Sequence, residues 1–268
     1  MDASKYIVGT SGYSFADWVG EFYPPGTRSG EMFAHYCQRF VAVELNFTFY
    51  RMPTARTLAS IAAKSPPGFG FWVKVNQEIT HKHNLAHAAP FIEALSPLRE
   101  TDKLLGVLFQ FPQSFHRTVE NREFLAAALE DFSRPASSAA AAMPLPCAVE
   151  FRHASWDHPS TVEGLRQRGA TLVIPDAPPI PSLYHTPPRV TSGLAYIRLH
   201  SRDAAKWYAG EHERYDYSYS APEMRKLLDD WSPLEGGVKA VNVFFNNCHR
   251  GQAAANAEAF RRILGQIK

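Results

Sequence analysis

The stretch Ala148-Val-Glu-Phe-Arg-His-Ala-Ser-Trp156 shows how the strands of this chain are built. From residue 147 to residue 152, apolar side chains alternate with Glu150 and Arg152, which is typical of a β-strand. The two charged side chains therefore share one face, where they would be costly unless they are paired or used. Two interpretations stay open: a structural ion pair that seals a barrel interior, or part of a functional site.

Similar strand patterns recur evenly along the chain, and a helical pattern follows most of them. Helical spacing predicts, for example, a helix from Thr54 to Ala63 and another from Ala88 to Glu100. The strand patterns, besides the opening stretch, are Tyr6–Gly12, Val41–Phe47, Phe69–Val75, Leu104–Phe111, Thr171–Asp176, Leu194–His200 and Lys239–Asn247.

Alternating strands and helices predict a parallel sheet with right-handed crossovers. Eight such units close most economically into a single (β/α)8 TIM barrel, a fold of the α/β class, which here forms one domain over residues 1–268. A doubly wound open sheet is the alternative, but no Gly-x-Gly-x-x-Gly follows the first strand. The run Pro135–Pro146, rich in serine and alanine, is interpreted as a low-complexity surface loop.

The composition is that of an ordinary globular protein, with 45% hydrophobic and 20% charged residues. The formal net charge of +2 argues against a protein that binds nucleic acid by neutralising many phosphates. A local basic patch, and with it a nucleic-acid partner, stays open. The oligomeric state is open as well.

Three cysteines, Cys37, Cys147 and Cys248, lie far apart and form no Cys-x-x-Cys pair. This spacing argues against a disulfide framework or a structural zinc cluster and favours a reducing, cytoplasmic location. The sequence contains no run with the apolar length of a membrane span, and we expect no membrane partner.

Polar side chains recur near the strand ends, on one of the two sets of alternate residues in a strand. Within three strands, polar residues alternate with apolar ones that must face the surrounding helices, so the polar set is predicted to face the barrel axis. These polar residues are Glu44, Asn46, Lys74, Gln110, Glu150, Arg152, Asp176, Arg198, His200 and Asn246.

The residues just beyond the strand ends also resemble a ligand site: Arg51, His81, His153, Trp156, Arg202 and His249. Barrel active sites form at the carboxyl ends of the strands, which favours a functional pocket there. The alternative is a self-satisfied structural layer, because three acidic side chains are balanced by three basic ones.

Motifs in order along nearly the whole chain resemble the bacterial and archaeal family called domain of unknown function 72. They are Gly9-Thr-Ser-Gly-Tyr13, Val43-Glu-Leu-Asn-Phe-Thr-Phe-Tyr-Arg-Met-Pro53, Ile79-Thr-His81, Leu108-Phe-Gln-Phe-Pro112, Val149-Glu-Phe-Arg-His-Ala-Ser-Trp156, Arg198-Leu-His200 and Val243-Phe-Phe-Asn-Asn247. The resemblance implies a TIM barrel with a pocket and supplies no reaction. Two departures stand out: Ser201 replaces a usual glycine, and Cys248 replaces a possible carboxylate.

Several chemistries fit parts of this set. A divalent-metal hydrolase or isomerase could use Glu44, Glu150, Asp176 and His200, but no metal-binding spacing supports it and three cations share the pocket. A glycosidase would need two carboxylates about 5 to 9.5 Å apart, which Glu44 and Glu150 reach only if they approach across the barrel. No metal ligand is therefore assigned, and the cofactor is left unknown.

The favoured hypothesis is an enzyme that acts on a small anionic, phosphorylated or nucleotide-like substrate, with hydrolysis as one candidate reaction. Acid–base roles are predicted for Glu44, Glu150, His153 and His200. Substrate-binding roles are predicted for Asn46, Arg51, Lys74, His81, Gln110, Arg152, Trp156, Asp176, Arg198, Tyr208 and Asn246. A non-catalytic barrel that binds a metabolite or a nucleic-acid end is the alternative from another class.

Overall fold

Eight parallel strands surround a common axis in a nearly closed (β/α)8 barrel. Each strand pairs with its neighbour in chain order, and β1 also pairs with β8. The strands are β1 (Tyr6–Thr10), β2 (Ala42–Leu45), β3 (Gly70–Lys74), β4 (Leu104–Gln110), β5 (Cys147–Glu150), β6 (Thr171–Asp176), β7 (Leu194–Leu199) and β8 (Ala240–Phe245). The predicted fold class is confirmed.

The seam between β1 and β2 is the narrowest pairing in the barrel. It consists of a bridge between Ser11 and Glu44, in which the backbone N–H of Gly12 donates to the Glu44 carbonyl at 2.8 Å. Gly9 lies beside this seam, and a Cβ added there would lie 2.4 Å from the Ala42 carbonyl oxygen. Only a glycine therefore allows β1 and β2 to approach this closely.

The computed structural model describes residues 2–134, 144–185 and 187–267. Most of the run Pro135–Pro146, interpreted above as a surface loop, lies outside these residues. The helices are α1 (Ser29–Arg39), α2 (Phe47–Tyr50), α3 (Ala55–Lys64), α4 (Gln77–Thr80), α5 (Ala88–Ala94), α6 (Ser96–Glu100), α7 (Val119–Ser133), α8 (Pro159–Gln167), α9 (Glu211–Arg214), α10 (Ala221–Trp231) and α11 (Gln252–Ile263).

Two predicted elements differ from the structure for local reasons. The predicted strand Val41–Phe47 ends at Leu45, because residues 47–50 form the short helix α2. The single helix predicted over Ala88–Glu100 is divided into α5 and α6, where Pro97 lies in the first turn of α6 and has no N–H to continue the ladder of α5. The predicted cap Thr54 is confirmed, since its side chain accepts from the Thr57 N–H at 3.2 Å.

The lower barrel interior is an aromatic plug. Trp72 and Tyr196 pack edge to face with their ring centroids 4.5 Å apart, and Phe244 lies 5.3 Å from Tyr196. The Trp72 indole N–H donates to Asn242 Oδ1 at 3.0 Å, which satisfies its polar atom inside the barrel. The plug closes the barrel from below, so a pocket in the barrel interior must open at the carboxyl ends of the strands.

The opposite parity of each strand packs against the helices, as the alternation predicts. Val43, Val149 and Ile197 are completely buried in the large cluster between sheet and helices. None of the helices in the described part of the chain has the length and apolar character that crossing a membrane requires.

Candidate functional site

A buried ion-pair layer lies directly above the aromatic plug. Arg198 binds Glu44 through two hydrogen bonds, from Nε to Oε2 at 2.9 Å and from Nη2 to Oε1 at 2.7 Å. Its third nitrogen, Nη1, donates to Glu150 Oε2 at 2.6 Å. All three side chains are at most 1% exposed, so one guanidinium binds two glutamates away from water.

Neighbouring polar groups complete this layer. The Tyr196 hydroxyl donates to Glu44 Oε2 at 2.7 Å, and Arg198 Nη2 lies 3.4 Å from Asn246 Oδ1. Burial alone lowers the pKa of Arg198, but the charges of Glu150 and Glu44 raise it well above its ordinary value. The layer therefore stays charged, and the prediction that the polar parity faces the axis is confirmed for β2, β5 and β7.

His200 and Arg152 lie against the second oxygen of Glu150. Glu150 Oε1 is 2.6 Å from Arg152 Nε and 3.2 Å from His200 Nε2, although neither contact is aligned as a good hydrogen bond. Burial alone would raise the pKa of Glu150, but Arg152, Arg198 and His200 hold it well below its ordinary value. Glu150 is therefore an ionised carboxylate shared by three partners.

The tautomer of His200 follows from Asn246. The Asn246 Oδ1 faces Arg198, so its Nδ2 is the donor to His200 Nδ1 at 2.9 Å. Nδ1 must then accept, which leaves the ring proton on Nε2, the atom that faces Glu150. Burial, with the charge of Arg152, lowers the pKa of His200 to about 3, so the ring is neutral.

A pocket of about 410 Å³ opens above these groups. The lining contains four basic side chains, three amides and four aromatic rings, and none of the described lining residues is a carboxylate. The lining residues are Phe49, Tyr50, Lys74, Gln77, His81, Gln110, Pro112, Gln113, Arg152, Leu183, Trp207, Arg214 and Tyr215.

Two arginines in the lining are held in place from behind. Arg152 pairs with Glu150 and lies 5.6 Å from the ring centre of Trp207. Arg214 donates from Nε to the Trp207 carbonyl at 2.7 Å and lies 5.3 Å from the same ring. Trp207 is therefore the surface on which both guanidinium groups rest, and the remaining N–H donors of each arginine are left for a ligand.

Lys74 and His81 line the opposite part of the pocket with Phe49. Lys74 Nζ lies 4.1 Å from the centre of the Phe49 ring, and His81 packs edge-on against it at 4.8 Å. Burial, with the charge of Arg198, lowers the pKa of Lys74 to about 7, against the opposing effect of Glu44 and Glu150. Burial and the nearby Lys74 lower the pKa of His81 to about 4.

Several predicted site residues come together at this mouth. The ion-pair layer and the pocket lining between them hold Glu44, Lys74, His81, Gln110, Glu150, Arg152, Arg198, His200 and Asn246. Asn46 follows β2, and its buried Oδ1 has no hydrogen-bond partner among the described residues. Their catalytic and binding roles stay predictions.

Asp176 is one predicted residue that the structure places elsewhere. Val173 belongs to the interior cluster. Because alternate residues of a strand face the same side, Pro175 also faces inward near the strand end, and Asp176 faces outward. Asp176 is bound there by Arg202 at 2.9 Å and by the Tyr219 hydroxyl at 2.6 Å. The inward-facing prediction for Asp176 is therefore corrected.

His153 and Trp156 have local structural contacts instead of pocket contacts. His153 caps the 3-10 turn Ala154–Trp156 and stacks on His116 with ring centroids 3.8 Å apart. Trp156 is buried between Phe151 and other rings, and its indole N–H donates to a backbone carbonyl at 2.6 Å.

Arg51 and Tyr208 lie outside the lining as well. Arg51 follows α2 and is exposed. Tyr208 is 58% exposed, and its hydroxyl accepts from Gln113 Nε2 at 3.0 Å, so it lies next to the lining.

Some lining residues were not assigned to the site from sequence. Arg214, Gln77 and Gln113 lie in or beside loops, where neither strand parity nor helical spacing applies. The aromatic density around Trp207 and Tyr215 was the available signal, since it marks a loop that could cover a pocket.

The structure also bears on the two alternative chemistries, a glycosidase and a metal-dependent enzyme. The guanidinium of Arg198 fills the space between Glu44 and Glu150, where a glycosidase places the sugar and the water. In residues 2–134, 144–185 and 187–267, no three His, Cys, Asp or Glu side chains cluster closely enough to hold a metal ion.

Comparison with known proteins gives consistent matches over almost the full length. The family described as "protein of unknown function DUF72" matches residues 7–268. A Bacillus subtilis (strain 168) relative, UPF0759 protein YunF, is 29% identical, and the match covers 96% of this chain and 94% of the relative.

Solved structures agree with this result. A DUF72 family protein from Thermotoga maritima has a TM-score of 0.86 and 38% identity, covering 97% of this chain and 99% of that one. A DUF72 family protein from Enterococcus faecalis has a TM-score of 0.83 and 27% identity, covering 98% and 96%. A xylose isomerase domain containing protein from Salmonella typhimurium has a TM-score of 0.55 and 14% identity over 99% and 97%, which shows a shared fold alone.

Proposed function

Because this chain belongs to the DUF72 family, whose description assigns no reaction, we propose a function from the site itself. We propose an enzyme that binds a small anionic, phosphorylated or nucleotide-like substrate at the carboxyl end of the barrel. Hydrolysis of that substrate is the first reaction to test.

The observation that carries the proposal is the charge of the pocket lining. Arg152 and Arg214 line the pocket with Lys74, whose pKa is about 7, and with His81, which is neutral because its pKa is about 4. None of the described lining residues is acidic. The two interior glutamates lie below and are both bound by Arg198, and Glu150 also pairs with Arg152 Nε, so the groups that remain for an anion are the Nη atoms of Arg152 and the guanidinium of Arg214. An anion would therefore gain charge-assisted hydrogen bonds from Arg152 and Arg214 in a partly dehydrated site.

The shape of the pocket favours a small molecule with a flat part. A volume of about 410 Å³ lies within the range of small-molecule sites. Tyr50 and Tyr215 line the pocket with their rings, which suits a base or a sugar beside the anionic group.

Burial suggests how the predicted acid–base residues contribute. Glu44, Glu150 and His200 have no exposed surface, and Glu150 contacts the pocket only through Arg152. In this proposal they are positioning residues that fix Arg152 and Arg198, whereas Lys74 is the lining group whose pKa lies near neutrality. His153, stacked on His116, lies outside the pocket lining.

Thermal unfolding with phosphate-bearing ligands tests the binding step. Inorganic phosphate and a panel of phosphate esters and nucleotides should raise the Tm of the unmutated protein. Arg152→Gln should abolish that rise while costing about 1–2 kcal/mol of stability, because Glu150 keeps its 2.6 Å bond to Arg198. Arg166→Gln is the matched control, since Arg166 lies on α8 and is 52% exposed.

The outcomes separate the possibilities. A Tm that no phosphate compound changes would overturn the proposal. Phosphate release from one member of the panel would support hydrolysis.

A non-catalytic barrel that binds a metabolite is the second candidate, favoured by the absence of acidic side chains among the described lining residues. Ligand-induced stabilisation with no product from any panel member would favour it.

A further inference from the structure

Lys74 differs from a lysine that serves only to hold the fold together. It lies at the end of β3 and lines the pocket, with Nζ 4.1 Å from the centre of the Phe49 ring. Within the described part of the chain, its Nζ makes no hydrogen bond and no ion pair. Lys74 is half-buried, and its ammonium group, which carries three donors, faces the pocket instead of acceptors of the protein.

Lys103 shows what a structural lysine looks like in the same protein. Its Nζ donates to the Ala62 carbonyl at 2.7 Å, the Ser65 carbonyl at 2.8 Å and the Ser65 hydroxyl at 2.7 Å. All three donors of the ammonium are used, so the Lys103 side chain is fixed in place by acceptors of the protein. Lys74 has no comparable set.

The carboxylates nearest to Lys74 are occupied by other partners. Both oxygens of Glu44 accept from Arg198, and one also accepts from Tyr196. The oxygens of Glu150 face Arg198 and Arg152. The site therefore places a half-buried lysine next to cations and gives it no ion-pair partner among the described residues, which is how proteins keep an amine neutral and nucleophilic.

We propose that Lys74 is a nucleophilic amine that forms an imine with an anionic aldehyde or ketone bound in the same pocket. This inference rests on the proposed function, because Arg152 and Arg214 would hold the carboxylate or phosphate of that molecule. It adds a covalent step and a substrate class, a small carbonyl compound that carries an anionic group.

The bond changes balance without a further reagent. The nitrogen lone pair of Lys74 attacks the carbonyl carbon, and the carbonyl π electrons move to oxygen. The oxygen takes up the two protons that the amine loses and leaves as water, while a carbon–nitrogen double bond forms.

The charges around Lys74 favour the free amine near neutral pH. Burial and Arg198 lower its pKa, Glu44 and Glu150 raise it, and Arg152 lowers it further, with the result that the pKa is about 7. His81, which directly follows α4, is neutral. At pH 7 about half of Lys74 is free amine, against about one part in 3,000 for a lysine of pKa 10.5.

Reductive trapping tests the inference. The protein would be incubated at pH 7 with glyoxylate, with glyceraldehyde 3-phosphate or with the neutral aldehyde propanal, then reduced with borohydride and mapped by peptide mass spectrometry. We expect one adduct at Lys74, formed fastest with an anionic aldehyde, and a rate that rises as the pH passes through about 7. The faster of the two anionic probes identifies the anion as carboxylate or phosphate.

Variants connect the adduct to the pocket. Lys74→Met should remove it, and Lys82→Met, at a lysine that is 61% exposed, should leave it unchanged. Arg152→Gln should slow adduct formation at pH 7, because Arg152 lowers the pKa of Lys74, and should lose the preference for anionic aldehydes over propanal.

Failure of the inference differs from failure of the proposed function. Labelling spread over surface lysines with none at Lys74, in a protein that inorganic phosphate still stabilises, overturns the inference alone. The other outcome is that propanal labels Lys74 as fast as the anionic aldehydes do, in a protein that inorganic phosphate does not stabilise. That result overturns the anion site and with it this substrate class.

Discussion

At the scale of single residues, Arg198 is the central charge of the buried ion-pair layer. Its guanidinium is 1% exposed and lies between two glutamates that have no exposed surface. Because its charge and hydrogen bonds offset the dehydration of two carboxylates at once, removing Arg198 leaves Glu44 without a cation and Glu150 with Arg152 alone.

Arg198→Met should therefore be strongly destabilising. We expect a loss of about 3–5 kcal/mol in the free energy of unfolding, since Glu44 would be left as a buried carboxylate without a cation and Glu150 would keep only Arg152. Urea unfolding monitored by tryptophan fluorescence measures it. Arg166→Met, which breaks an exposed pair with Glu163, should cost less than about 1 kcal/mol. Equal losses in the two variants would show that the layer contributes little.

Lys74→Met should change stability in a pH-dependent way. The folded-state pKa is about 7 and the ordinary value is 10.5, so the folded protein binds this proton more weakly than the unfolded chain. The burial penalty is fully present below pH 7 and disappears as the pH rises toward 10.5. The variant should thus be more stable than the parent at pH 6 by on the order of a few kcal/mol, with the gain shrinking toward pH 10.

Urea unfolding at pH 6, 8 and 10 measures this difference. Lys82→Met, at an exposed position, should show no such trend. A gain for Lys74→Met that stays constant with pH would mean that the amine titrates normally in the folded protein.

At the scale of secondary-structure elements, the inward and outward parity of the strands organises the site. Glu44, Glu150 and Arg198 could be predicted to converge because apolar neighbours on each strand must face the helices. The same reasoning fails for Asp176, since β6 is apolar up to Pro175 and offers no polar alternation to set its parity. Strand periodicity thus predicts which side chains face the barrel axis only where one set of alternate residues is polar and the other is apolar.

Strand periodicity makes no prediction about the orientation of loop residues. Trp156 was predicted to bind ligand because it follows β5, but its ring fills a stack with Phe115 and Phe151. Arg214 was not predicted, because its place in the lining depends on how α9 folds back over Trp207. Tertiary contacts decide both positions, and neither leaves a local pattern in the sequence.

The seam between β1 and β2 should be sensitive to the size of residue 9. In Gly9→Ala the new methyl group would lie 2.4 Å from the Ala42 carbonyl oxygen and 3.1 Å from the Phe244 ring. Because the first neighbour is backbone and cannot move aside alone, we expect a loss of about 1–3 kcal/mol. Urea unfolding compares it with Gly193→Ala, where nothing lies within 4 Å of the added carbon. A loss no larger than in that control would mean that the seam is not tightly packed.

At the scale of the whole molecule, the barrel follows from its repeated pattern. Eight alternating units predict closure, and the aromatic plug of Trp72, Tyr196 and Phe244 explains why the interior opens only at the carboxyl ends of the strands. The sequence also predicts a balanced polar layer, but it does not separate that layer from the pocket above it. In the structure the acidic groups are neutralised below, and the basic groups line the opening.

This separation of charge makes the central claim, that the pocket binds an anion, directly testable. X-ray diffraction from crystals soaked in tungstate, whose tungsten atom scatters anomalously, locates a bound oxyanion. We predict an anomalous peak within hydrogen-bond distance of the Arg152 and Arg214 guanidinium groups, and its loss in Arg152→Gln crystals. A pocket without a peak in soaked crystals of the unmutated protein, with tungstate bound only at surface arginines, would contradict the claim.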